Sequence, residues 1–297
     1  MNGERQGVFN LRSSILILLS SFLYASYGIW SVLLKDKFDI FFQEYVRSIV
    51  ALLVLIPICY FTKSWKTIEK NNRKYFLAVS FFGACAQVPL YYAYQHAGVG
   101  VVTFILFASS LLMSFIFGKI LFNEKFTIIK IFSFIISCSG LVLIFINSFE
   151  NYSLLALVMA VLGGLAFAGE TSFSKLIPEK FSTIQTSVIS WIFGVIVCLP
   201  ISIILGEKQV IPNFSFSWLI ICVYAFVGLL AYYFVLEGYK KVDTSIGGLI
   251  STSEIVFGLL FGMLLFNEQI SFNVIIGGVL IFVAVLLPNL EMFQKKL

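Results

Sequence analysis

Two glutamates lie deep inside long apolar runs, Glu254 within STSEIVFGLL and Glu170 within FAGETSF. An ionisable side chain is costly in a bilayer and ordinarily faces a cavity or a partner. Glu254 has Leu249, Ile250, Phe257 and Leu259 around it in sequence. A carboxylate there can bind a cationic or zwitterionic ligand, or carry a proton; a structural hydrogen bond between helices is the alternative. Glu170 reads as a cavity residue too, with an ion pair to Lys175 as its alternative. Arg47 follows Glu44 by three residues, so the two share a helix face. Arg47 either closes a rim ion pair or holds a ligand carboxylate bidentately. Aromatic residues accompany these charges: Tyr24, Tyr27 and Trp30 at every third position, the pair Tyr91-Tyr92 echoed by Tyr232-Tyr233, and Trp191 inside an apolar run. Aromatic faces beside an acid attract an amine by cation–π interaction or stack an aromatic ligand. Packing, or an interfacial belt near helix ends, is the competing explanation.

A second pair of acids behaves differently. ILFNEKF (Ile120 to Phe126) and LLFNEQI (Leu264 to Ile270) each end an apolar run on a glutamate, Glu124 and Glu268, 144 residues apart. A carboxylate at a helix C-terminus faces the unfavourable end of the dipole. Backbone N–H groups of the next turn, or a lysine such as Lys125 or Lys130, must hold it. Both glutamates are therefore expected to be helix-end clamps or gate elements rather than ligand residues.

The elements that position these residues follow from composition. Hydrophobic residues make up 60% of the 297-residue chain and charged residues 12%, about half the charge of a soluble domain. Lipid must be the solvent for much of this surface. Ten apolar runs are long enough to span, at about 11–34, 41–62, 75–95, 99–122, 127–147, 152–175, 184–205, 216–237, 246–266 and 272–290. None alternates polar and apolar as a barrel strand would. The first run is too long for a signal peptide and is read as the first span. With the N-terminus cytoplasmic, sixteen lysines and arginines fall on inner segments and only Lys35, Lys37 and Lys208 on outer ones. The basic excess is thus a topology signal with both termini cytoplasmic, and nucleic acid is not an expected partner.

Cofactor and metal chemistry find little support. Only one histidine occurs, His96, and the aspartates are Asp36, Asp39 and Asp243, all near loops. The five cysteines (Cys59, Cys85, Cys138, Cys198 and Cys222) form no C-x-x-C pair and are read as small buried apolar residues. No phosphate-binding Gly-x-x-x-x-Gly-Lys-Ser/Thr and no Gly-x-Ser-x-Gly elbow is present. No cofactor, no metal and no enzymatic activity are expected.

The chain also repeats itself. At an offset of 144, Ser109 aligns with Ser253, Gly118 with Gly262, and Phe122-Asn123-Glu124 with Phe266-Asn267-Glu268; at 143, Lys37-Phe38 aligns with Lys180-Phe181 and Pro57-Ile58 with Pro200-Ile201. Five spans are duplicated, and five is odd, so the second copy enters the membrane from the opposite side. The expected fold is an all-α integral membrane protein, ten transmembrane helices as two inverted five-helix repeats, residues 1–147 and 148–297. Such repeats let a central site open first to one side and then to the other.

Two five-span halves, each with a glutamate closing its fourth span, resemble the drug/metabolite transporter superfamily, specifically its EamA-type members. FLYASYGIWSVLLK (Phe22 to Lys35), FFQEYVRSIVAL (Phe41 to Leu52) and YYAYQHAGVGVV (Tyr91 to Val102) look like that family's first helix, second helix and turn into the fourth span. Ser253-Glu254-Ile255 resembles its Glu-Pro motif, with Ile255 in place of the proline; the fourth span also lacks the common proline, near Ser110. The resemblance implies a secondary transporter, with export frequent, of small polar metabolites such as amino acids or organic cations across the cytoplasmic (inner) membrane by alternating access. An intramembrane enzyme or a channel is the alternative. The expected partners are a small-molecule substrate, membrane lipid and, if transport is coupled, protons, with the chain a monomer or weak homodimer. The expected substrate residues are Glu254, Glu170, Tyr27, Trp30, Tyr24, Tyr91, Tyr92, Tyr232, Trp191 and Arg47, and the first, third, fourth, sixth, eighth and ninth runs are expected to line the cavity.

Overall fold

A computed structural model describes residues 10–34, 36–97, 99–146, 153–266 and 271–294. The chain is 81% helical, with no strand among the described residues. The helices are α1 (Leu11–Ala25), α2 (Tyr27–Leu34), α3 (Ile40–Phe61), α4 (Arg73–Cys85), α5 (Gln87–His96), α6 (Val99–Phe122), α7 (Ile128–Phe145), α8 (Leu154–Ser174), α9 (Thr183–Ile204), α10 (Phe216–Tyr239), α11 (Thr244–Ser251), α12 (Ser253–Phe266) and α13 (Phe272–Gln294). Among the described residues, eight stretches are long and apolar enough to cross a membrane, and Leu11–Ala25 and Phe272–Pro288 are shorter apolar helices. Large hydrophobics such as Leu53, Phe61 and Ile128 lie on the outer surface, which suits lipid as solvent. All five cysteines are free; only Cys59 and Cys198 are fully buried, and Cys222 is exposed. Burial of all five is therefore corrected: in lipid, an apolar thiol gains little from being inside.

Helix starts use hydroxyl caps: Thr127, Ser153 and Ser182 each accept the N–H three residues on. Three apolar runs are broken near their middles, and each break has a local cause. At Ser26 the hydroxyl donates to the Leu23 carbonyl at 2.6 Å. At Ala86 the helix stops because Pro89 has no N–H to offer the Cys85 carbonyl and crowds it. At Thr252 two adjacent hydroxyls turn back, Thr252 Oγ1 to Leu249 O at 2.6 Å and Ser253 Oγ to Ile250 O at 2.7 Å. The ninth run bends without the proline that Ile255 replaces.

Helices α3 and α9 pack together and are built alike. Each carries an internal proline, Pro57 or Pro200. Each ends on a residue with positive φ, Lys63 at 49° or Gly206 at 71°, and the next N–H returns to the carbonyl five residues back, Ser64 to Cys59 and Glu207 to Ser202. Their ends are tied reciprocally. Gln185 exchanges hydrogen bonds with the Lys66 backbone, while Glu207 accepts from the N–H groups of Phe41 and Phe42 at 3.1 and 2.7 Å. Helices α7 and α13 meet as closely: a Cβ on Gly140 would lie 2.7 Å from the Gly277 carbonyl oxygen, and one on Gly277 2.6 Å from that of Gly140. Only glycine permits this approach.

Candidate functional site

The three helix breaks converge on one cavity of about 210 Å³. Tyr24 and Tyr27 flank the break at Ser26, Gly83 and Ala86 come from the break between α4 and α5, and Glu254 follows the break at Thr252. The walls are completed by Arg47 of α3, Glu170 of α8, Trp191 of α9 and Tyr232 of α10. The cavity is smaller than the roughly 300–1,000 Å³ of drug-sized sites, so its natural scale is a small metabolite.

Seven of the ten residues expected at a ligand site therefore share one wall: Glu254, Glu170, Tyr24, Tyr27, Tyr232, Trp191 and Arg47. Of the other three, Trp30 and Tyr92 are not brought there. Trp30 packs against the buried cluster around Leu34 and Phe38, and its indole N–H donates to Ser26 Oγ at 3.0 Å. The bend at Ser26 turns it away from Tyr24, which breaks the simple every-third-residue face. Tyr92 stacks on His96 with ring centroids 4.1 Å apart. The side chain of Tyr91 lies outside the described residues. The second and seventh apolar runs line the cavity as well, through α3 and α9, beyond the six runs expected.

The carboxylates fall into two classes. Glu170 and Glu254 have no ion-pair partner among the described residues. Lys175, the anticipated partner of Glu170, instead contacts Glu124 at 3.6 Å and donates to the Val242 carbonyl. Glu254 occupies the first turn of α12, where the helix dipole offsets part of the cost of its charge. Glu124 is the opposite case. It is 4% exposed, accepts from the backbone N–H groups of Thr244 and Ser245 and from Ser245 Oγ, and lies 3.7 Å from Lys130. Its carboxylate caps the N-terminus of α11, over a hundred residues away, rather than the next turn of its own chain. Glu268 lies outside the described residues.

Residues the sequence did not single out complete the wall. Tyr232 donates to Ser190 Oγ at 2.9 Å. The guanidinium of Arg47 lies over the Tyr224 ring at 3.9 Å and the Tyr27 ring at 5.1 Å, and pairs with Glu44. Gly83 provides the space for Glu170: a Cβ there would fall 2.2 Å from Glu170 Oε1. Gly83→Ala is expected to fold normally, since alanine is about 1 kcal/mol better than glycine in a helix. It must displace the Glu170 carboxylate, so a several-fold lower transport rate with an unchanged melting temperature is expected. An unchanged rate would remove Glu170 from the site.

The comparisons with known proteins point one way. A family model described as the EamA-like transporter family matches residues 11–146 and again 154–290. The chain belongs to the EamA-like transporter family. It is similar to solute carrier family 35 member G1 of Homo sapiens, at 24% identity over 90% of this chain and 75% of that protein. An uncharacterized transporter of Helicobacter pylori is 24% identical over 97% of this chain and 99% of its own. A crystal structure with 14% sequence identity superposes with a TM-score of 0.80, covering 96% of this chain and 99% of the other, which speaks to the fold alone. This member is thus a multi-pass membrane transporter with a small-molecule substrate.

Proposed function

We propose that this EamA-like transporter is a secondary carrier, working as an exporter, of small polar metabolites such as amino acids or organic cations, with no enzymatic step. One contrast carries the reading. Glu124 is buried and fully partnered, whereas Glu170 and Glu254 face a shared aromatic cavity with no ion-pair partner among the described residues. An unpaired intramembrane carboxylate is costly unless a ligand or a proton completes it.

Alternating access by two inverted five-helix repeats, residues 1–147 and 148–297, with ten spans in all, is the accompanying architecture. Several observations support it. The family model matches twice, once in each half. The internal prolines Pro57 and Pro200 and the positive-φ helix ends at Lys63 and Gly206 recur at an offset of 143. Discontinuous helices surround the cavity, a recurrent feature of carriers with inverted repeats. The lysine and arginine distribution favours cytoplasmic termini and, in a bacterial cell, the inner membrane. Seven cavity residues serve substrate in this reading, and Glu124, with Glu268, holds helix ends.

The test is release from proteoliposomes loaded with a defined mixture of amino acids, quaternary amines, nucleosides and nucleotide sugars, followed by mass spectrometry. Selective, saturable loss of amines or amino acids is expected. Conversion of a loaded compound into a new species would favour an enzyme instead, and non-saturable loss a channel.

A further inference from the structure

We infer that Arg47 and Trp191 form an oxyanion-binding half of the cavity, so that the ligand carries an oxyanion as well as an amine; this rests on the carrier reading above. Arg47 is 6% exposed. Its Nη2 pairs with Glu44, but Nε and Nη1 are buried without an acceptor. The Trp191 indole N–H is likewise buried without one. The Arg47 guanidinium rests on the Tyr224 ring at 3.9 Å and near the Tyr27 ring at 5.1 Å, contacts it would lose by swinging elsewhere to find an acceptor. Arginine and indole N–H groups are donors only, and an ionised carboxylate is an acceptor only. An unmade hydrogen bond at such a donor is among the more expensive defects a folded chain can carry.

The two unmet needs border one space. Donors lacking acceptors lie on the side of α3 and α9, while Glu170 and Glu254, carboxylates without an ion pair among the described residues, lie on α8 and α12. Tyr24 and Tyr27 line the same space, with Arg47 5.1 Å from the Tyr27 ring. A bare amine or quaternary ammonium would satisfy the carboxylates and leave the donors unmet. A simple acid would do the reverse. A small zwitterion answers both, and the cavity volume of about 210 Å³ limits it to a compact one. A site built to hydrogen-bond a ligand group discriminates strongly against the analogue that lacks it.

Matched sets of compounds test this directly. Proteoliposomes of the full chain are loaded with phenylalanine, phenethylamine and 3-phenylpropionate, and separately with leucine, 3-methylbutylamine and 4-methylpentanoate. After subtraction of the leak from protein-free liposomes, each zwitterion is expected to leave at least about tenfold faster than its amine or its acid. Arg47→Gln should narrow that ratio severalfold while amine release persists. Trp191→Phe keeps the ring and removes only the N–H, so it carries the test if the Arg47 variant folds poorly; it should narrow the ratio in the same direction. An amine released as fast as its zwitterion overturns the oxyanion half and leaves the carrier reading standing. A ratio unchanged in Trp191→Phe overturns it too. Release of no compound from either set overturns both.

Discussion

Glu254→Gln is expected to lower the release of a positively charged substrate by roughly tenfold to a hundredfold while leaving the protein at least as stable as the native chain. The first half follows from losing a charge-assisted contact, worth about 1.5–3 kcal/mol, with each 1.4 kcal/mol a factor of ten. The second follows from the absence of any cation beside Glu254 among the described residues. No described residue loses an ion-pair partner when the charge goes. Glutamine keeps the shape and removes a charge whose burial opposes folding. Rates from proteoliposomes and melting temperatures in detergent give the two readouts. Lost activity with a fallen melting temperature would mean that Glu254 is structural. Unchanged activity would take it out of the binding site.

Glu124→Ala is expected to do the reverse and strike stability first. The Glu124 carboxylate answers two backbone N–H groups, the Ser245 hydroxyl and two lysines. Removing one side of a buried ionic cluster typically costs about 3–5 kcal/mol, because the remaining charges stay buried. Here the loss falls toward the lower part of that range. Lys130 keeps Asp243 at 2.7 Å and Lys175 keeps the Val242 carbonyl at 2.8 Å. Glu124→Gln should be milder, since an amide oxygen can still accept from the start of α11. The check is size-exclusion chromatography after heating: Ala should fall apart well below the native chain, with Gln between them. Equal thermal behaviour of all three would show that the cluster does not fasten α6 to α11.

Much of this was legible in the residues themselves. An apolar run of about 20 residues has few homes other than a bilayer, so the membrane and the helices could be read from 60% hydrophobic composition and run lengths. A carboxylate in such a run is expensive wherever the helix packs, so Glu170 and Glu254 stood out before any contact was known. Both do line the cavity. Trp30 shows the limit of spacing. It shares an every-third-residue pattern with Tyr24 and Tyr27, yet the bend at Ser26 sends it to a different cluster from Tyr24, and of the two residues beyond the bend only Tyr27 also lines the cavity. Ser190 and Gly83 gave no signal at all, because a serine or glycine in an apolar run is unremarkable until its neighbour is known.

The chain alone determined its solvent, its helical content and the cost of each buried charge, because these depend on residues close in sequence. Tertiary structure alone decided which charges are answered. Helix faces turned to lipid and faces turned to neighbours are equally apolar here, so periodicity cannot say which helix meets which. Glu124 and Glu254 look alike as letters in two apolar runs. One finds Thr244, Ser245, Lys130 and Lys175 around it; the other finds a cavity and, among the described residues, no ion-pair partner. That difference is made by the packing of α6, α7 and α8 against α11, and by the break at Thr252 that places Glu254 on the cavity wall.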